Sequence, residues 1–284
     1  MFSHKEAIQI LKDAGFDAFD ISLSEMFSNK ESRFNKEDKF EYAQEIRDFA
    51  DSIGMVCNQA HAPFHSSSGK DWEDKYIFDR IVISMKLASI IGAKTIIIHP
   101  KQHLKHAEFA EEQFALNVEF YNSLIPYAKE YGIKIATENM FQWNMSAGHA
   151  IDSACSRARE FCRYIDAVNS EWLVGCFDIG HAALMDADLP DFIKRMGKDR
   201  LKNLHVHDNN FKADMHTLPF MQKINYAEVT KALGEIDYEG DLTFEADGFY
   251  AGKPKELLPA SAAYMAAVGR YLIEQIDKAR SNEL

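Results

Sequence analysis

Three histidines and three carboxylates recur at near-regular intervals along this 284-residue chain. His61 (in QAHAPF), His99 (IIIHP), Glu138 (ATENM), Asp178 (CFDIGH), His205 (LHVHD) and Glu245 (LTFEAD) each close a short apolar run, at separations of 38, 39, 40, 27 and 40 residues. One histidine or glutamate at the end of a strand is ordinarily a cap or an ion-pair partner. Six in phase are not explained that way, because buried charges are rarely left unpaired. If each run is a strand of one parallel sheet, the six side chains meet at its C-terminal edge, and such a group calls for a cation or a dense hydrogen-bond network. Imidazole and carboxylate ligands without thiolate suit one divalent ion, Mn²⁺, Mg²⁺, Co²⁺ or Zn²⁺, and the spacing does not separate these.

Further residues extend the set. His181 follows Asp178 by three, and Asp214 and His216 form a DxH pair in the loop after the 201–207 run. His207 lies two residues beyond His205, so on a strand it points the same way and competes with His205 as a ligand. Phe64 and Trp143 follow His61 and Glu138, where an apolar wall against a sugar face would be useful; simple packing is the plainer account of both. His4, His65, His103, His106 and His149 lack such context and are expected at the surface.

The elements that must position these residues show in the punctuation. Helical patterns end at Gly15, Gly54, Gly92 and Gly132, each followed directly by a β-rich run, as expected of left-handed helix caps. Phe114, Val118, Tyr121, Ile125 and Ala128 form one helical stripe, as do Ile77, Ile81, Met85 and Ala88. Alternating β and α at a period near forty predicts βαβ units and an α/β fold, a TIM (β/α)₈-type barrel whose mouth carries the polar series. Seven strands are expected, at about 16–23, 55–61, 94–99, 133–138, 173–178, 201–207 and 241–245. Ser3-His4-Lys5-Glu6 reads as a capping box that opens a helix at once, so the first barrel strand is expected to be missing or replaced. The sheet edge left beside 16–23 would need cover. Residues 24–39 read as a polar loop or lid, and residues 1–284 as a single domain.

Composition narrows the function classes. The formal net charge is -12, which argues against a nucleic-acid partner. No apolar run has membrane-spanning length. Four scattered cysteines, Cys57, Cys155, Cys162 and Cys176, read as reduced thiols of a cytoplasmic protein. An exposed sheet edge and exposed aromatics would favour a homodimer.

The ordered motifs HAPF, IIIHP, TENM, FDIGHA, HVHDN, DMH and FEAD resemble the xylose isomerase-like TIM barrels, from about Ala14 onward. That superfamily includes sugar phosphate isomerases/epimerases, relatives of D-tagatose 3-epimerases, and AP endonucleases of the endonuclease IV type. The resemblance implies a single metal held by Glu138, Asp178, His205 and Glu245, with Glu138 and Glu245 also serving as the catalytic acid/base pair. It implies that His181 contacts substrate, and we place His61, His99, Phe64 and Trp143 around a bound sugar as well. For the endonucleases it implies up to three zinc ions, with His61, His99, His181, Asp214 and His216 as further ligands; His207, Asp214 and His216 are therefore additional metal candidates. The chemistry expected is proton transfer next to a carbonyl through an enediolate, on a sugar or sugar phosphate. Phosphodiester hydrolysis at abasic DNA is the second reading, and a non-catalytic barrel subunit is the third.

Overall fold

A computed structural model describes residues 2–281. Ser3 caps the first helix, α1 (His4–Ala14), by accepting from the Glu6 backbone N–H while the Glu6 carboxylate accepts from the Ser3 N–H. Gly15 ends it at φ +94°, a conformation that costs Gly little and a side-chain-bearing residue much more. The chain then runs through β1 (Ala18–Ser22), α2 (Glu25–Ser28), α3 (Lys39–Ser52), β2 (Val56–His61), α4 (Asp71–Ile91), β3 (Thr95–Ile97), α5 (His106–Tyr131) and β4 (Lys134–Glu138). A hairpin follows, β5 (Phe141–Asn144) and β6 (His149–Asp152), and then α6 (Ala158–Val168), β7 (Leu173–Asp178), α7 (Ile179–Leu184), α8 (Leu189–Arg200), β8 (Leu201–His205), α9 (Tyr226–Glu235) and α10 (Leu258–Arg280).

Six strands make one parallel sheet in the order β1-β2-β3-β4-β7-β8. It curls into a half-barrel with helices packed outside, the TIM-type α/β architecture expected from the βα period. The seventh expected strand, 241–245, is reduced to a single parallel bridge between Val206 and Phe244. Its backbone is held from one side, by Val206 N–H to Thr243 C=O (2.9 Å) and Glu245 N–H to Val206 C=O (3.2 Å). Among the described residues no strand precedes β1, and β1 pairs with β2 alone. Strand β1 and the 241–245 segment are thus each paired on one side only among the described residues. Across the gap, Asn58 Nδ2 donates to Thr243 Oγ1 at 2.7 Å.

The main apolar cluster runs from Ile8 to Ile276, between sheet and helices. Ile77, Ile81, Met85 and Ala88 bury one face of α4, and Tyr121, Ile125 and Ala128 one face of α5, while Phe114 and Val118 pack at its margin. Residues 24–39 depart from the loop expectation: they contain α2 and a short 3-10 turn at Arg33–Asn35, pinned by buried Met26 and Phe34. Two isolated apolar anchors in a charged stretch give no periodic signal. His4 and His106 also leave the surface. His4 Nδ1 lies 2.8 Å from the Tyr42 hydroxyl, and His106 Nε2 lies 3.6 Å from Glu160. All four cysteines are free. No helix among the described residues is long and apolar enough to cross a membrane.

Inside the sheet, below the strand ends, lies a layer of neutral polar groups. Asn203 Nδ2 donates to Gln59 Oε1 (2.8 Å) and Thr95 Oγ1 (2.7 Å), and Gln59 Nε2 donates to Asp20 (2.9 Å). Barrels of this kind more often fill that space with branched aliphatic side chains.

Candidate metal centre

Glu138, Asp178 and His205 are the last residues of β4, β7 and β8, and the parallel register sets Asp178 opposite His205. Glu245 follows the Phe244 bridge directly. One donor atom from each of these four residues lies within 4.8 Å of the others. His205 Nδ1 stands 3.3 Å from Glu138 Oε1, 3.0 Å from Glu245 Oε2 and 3.8 Å from Asp178 Oδ2. Glu138, Asp178 and His205 are at most 1% exposed. Glu138 Oε2 and Glu245 Oε2 are buried and face imidazole nitrogens at 3.2 Å (His99) and 3.0 Å (His205) without a well-aligned hydrogen bond. Carboxylates and imidazoles crowded in this way are a donor set that suits a divalent cation.

A second group stands beside the first. His181, His207, Asp214 and His216 also bring one donor atom each within 4.8 Å of one another. His207 Nε2 is 3.0 Å from Asp178 Oδ1, His181 Nε2 is 3.5 Å from Asp214, and His216 Nε2 is 2.9 Å from the same carboxylate. Asp178 therefore faces both groups. His61, His99 and Glu138 form a third, with the two histidine Nε2 atoms 3.1 Å apart and His99 3.2 Å from Glu138 Oε2. The competition between His205 and His207 resolves by division: they point into the same mouth but serve different groups.

The supports of these side chains are local. Asn139 accepts from the Asp178 N–H (2.8 Å), donates to the Asp178 carbonyl (2.8 Å), and through its own carbonyl faces His181 Nδ1 (3.0 Å). The Asp178 carboxylate also caps α7 by accepting from the His181 N–H at 2.6 Å. A Cβ at Gly180 would fall 1.9 Å from the His207 ring, so only glycine lets α7 pass that close. Asp208 accepts from the N–H groups of Asn209, Gln222 and Ile224 and folds the loop that carries Asp214 and His216.

The electrostatics follow from crowding. Burial alone would raise Glu138 and Glu245, but the adjacent imidazoles, His205 foremost, hold both carboxyls well below the usual range. Asp214 is likewise held low against its burial by His181 and His216. Burial would lower His205 and His181, yet Cys176 with Glu245 and Glu138 pushes His205 well above the ordinary imidazole value, and Asp178 with Asp214 and Glu138 does the same to His181. His216 is pushed up to about 9, against its burial, chiefly by Asp214. Burial dominates at His99 and lowers it. Protons on the imidazoles thus occupy the electrostatic role that a divalent ion would take, and loading an ion would release them.

The mouth opens into a cavity of about 1180 Å³. His61, His99, Glu138, His181, Asp214, His216, Glu245 and Phe64 line it, whereas Asp178, His205 and His207 lie beneath its surface. Phe64 stacks on His99 (5.6 Å, 23°). Trp143 does not line the cavity; it lies on β5, 40% exposed, with its ring edge to Phe141. Phe141 takes the place expected of Trp143, its ring 5.0 Å from His181. Sequence reasoning missed Phe141, Asn139 and Asp208; the Asn in TENM and the Asp in HVHDN were visible there, adjacent to ligands but without a reason to point inward.

The description "Xylose isomerase-like TIM barrel" matches residues 8–268. The chain belongs to the xylose isomerase-like TIM barrel family. Within that family it is 25% identical over 259 residues to the uncharacterized protein y4fM of Sinorhizobium fredii, a match covering 85% of this chain and 80% of that one. Among solved structures it resembles a D-tagatose 3-epimerase-like protein (TM-score 0.73, 21% identity, covering 93% of this chain and 91% of that one). It also resembles the IOLI protein crystallised with a zinc atom (TM-score 0.72, 16% identity, 97% and 93%). At these identities the structural likenesses establish the fold.

Proposed function

We propose that this chain, acting as one barrel domain, is a divalent-metal-dependent isomerase or epimerase of a sugar, working through an enediolate. The observation that carries the reading is the convergence of Glu138, Asp178, His205 and Glu245, with one donor atom from each within 4.8 Å of the others. These four residues would hold the ion. When bound, it would supply stabilisation of the negative charge that develops on adjacent substrate oxygens as the proton beside the carbonyl leaves. The IOLI zinc supports a metal of this kind without fixing its identity.

The chain's own residues supply the rest. Glu138 and Glu245 come from strands distant in sequence and approach His205 from two directions, so a sugar above them would have a carboxylate on each side. One takes the proton and the other returns it, a transfer that contributes roughly 10²–10⁴ in rate. Both carboxyls are held ionised, which suits the accepting role. His181, His61 and His99 line the cavity and are placed to hold substrate hydroxyls; Phe64 and Phe141 offer apolar faces. The test is solvent deuterium incorporation into a panel of ketoses: metal-loaded wild type should exchange one carbon-bound position, and Glu138→Gln and Glu245→Gln should not. Metal-loaded wild type that exchanges no ketose contradicts the reading.

A second reading, zinc-dependent phosphodiester hydrolysis, is favoured by the His181, His207, Asp214 and His216 group together with His61 and His99. Three zinc ions per chain would support it. One ion per chain would support the isomerase.

A further inference from the structure

The charges around the mouth bear on substrate class. Glu138, Asp178, Asp214, Glu245 and Asp247 meet there, and two divalent ions in the two four-residue groups would still leave these five carboxylates in excess. Among the described residues lining the cavity, Arg270 is the one Lys or Arg. It lies on α10 and is bound to Asp17 (2.5 Å) and the Gly15 carbonyl (2.9 Å), ahead of the start of β1. No guanidinium or ammonium of the lining is left to meet a phosphate.

The place where barrels often seat one is also closed. Phosphates commonly bind after the last two strands, against a short extra helix. Here that helix is the 3-10 turn Asp247–Tyr250. It opens with a carboxylate, Asp247, whose Oδ1 is 3.5 Å from His216 Nδ1. Its second residue is pressed against carbonyl oxygens: a Cβ on Gly248 would lie 2.2 Å from the Met215 oxygen and 2.8 Å from the His216 oxygen. The Asp247 carboxylate presents negative charge where a phosphate would need donors, and like charges set against each other reject a ligand more effectively than they weaken a neutral one.

We propose that the mouth selects an uncharged polyhydroxy carbonyl compound over its phosphate ester, and that Asp247 is the specificity-determining residue. This rests on the isomerase or epimerase reading of the same site. The side chain of Asp247 is 90% exposed, so water and salt weaken its field and the effect of removing it is moderate.

The experiment takes metal-loaded wild type and Asp247→Asn through free ketoses and their terminal phosphates, with two readouts: deuterium incorporation and calorimetric binding, the latter including inorganic phosphate. In wild type, kcat/KM and affinity should favour the free ketose by about tenfold or more, the order of a single unfavourable charge contact. In Asp247→Asn the ratio of phosphate to free ketose should rise by about threefold to fivefold, the scale of an exposed charge, with metal content unchanged. Preference of wild type for the phosphate ester, or binding of neither class, overturns the proposal. If Asp247 serves only to orient His216, metal content and free-ketose turnover fall together with the ratio unchanged, and its assigned role is overturned. Selective binding of free ketose without deuterium exchange leaves the charge selection standing and removes the isomerase reading instead.

Discussion

Two buried polar layers lie one above the other inside this half-barrel, and they solve the problem of burial differently. In the lower, Asn203, Gln59, Thr95 and Asp20 are linked through neutral amide and hydroxyl groups, and burial raises the Asp20 carboxyl toward its neutral form. Each of these two amides donates to a neighbour, although Asn203 Oδ1 is left without a partner. In the upper, Glu138, Asp178 and Glu245 crowd around His205, three carboxylates on one imidazole. A layer built only for stability would resemble the lower one, since replacing buried ions with neutral groups is often neutral or stabilising. The upper layer instead gathers three carboxylates and an imidazole, a donor set that suits a divalent ion.

Breaking each layer should therefore give opposite signatures. Removing a donor from the upper one has the largest expected effect: Glu138→Gln should lower deuterium exchange by about 10³ or more, by losing an acid/base group together with a ligand, with metal content measured alongside. In the lower layer, Asn203→Ala should leave metal content unchanged and reduce unfolding free energy by about 1–3 kcal/mol, because Gln59 and Thr95 lose their donor; urea denaturation reads this. Equal loss of metal in the two variants would erase the distinction.

A pH comparison sharpens it. His216 is raised to about 9 by Asp214, so its charge stabilises the metal-free fold fully below its unfolded value near 6.5, and that contribution is lost as pH rises through 9. Melting of the metal-free protein should fall over this window, and metal-loaded protein should show a flatter curve. The smallest effect is expected at Glu160, a partly buried acid outside both layers, raised by burial to about 7. Its contribution is present below about pH 4.5 and lost as pH rises through 7, so Glu160→Gln should melt higher than wild type at pH 8 and about equally at pH 5, by a few degrees at most.

The upper layer was legible in the sequence because its members close aliphatic runs at a regular period, and a parallel sheet makes equal strand positions into spatial neighbours. The division between His205 and His207 was not: alternation puts both on one face, and their different partners, Glu138 and Glu245 for one and Asp178 and Asp214 for the other, come from other elements. The exchange of Trp143 for Phe141 turns on the β5–β6 hairpin, whose short strands carry no burial pattern. The reduction of 241–245 to a single bridge depends on pairing from one side among the described residues, which no local pattern encodes. The lower layer went unread because isolated Asn, Gln and Thr residues within strands look like ordinary polarity until their cross-strand partners are known.

The most direct test is a crystal structure of protein loaded with manganese, with the ion located by its anomalous scattering. The account predicts an ion bound by Glu138, Asp178, His205 and Glu245 together, at about 2.0–2.2 Å from their donor atoms. An ion bound elsewhere, or these four side chains keeping their mutual contacts with no ion among them at saturating manganese, would contradict it.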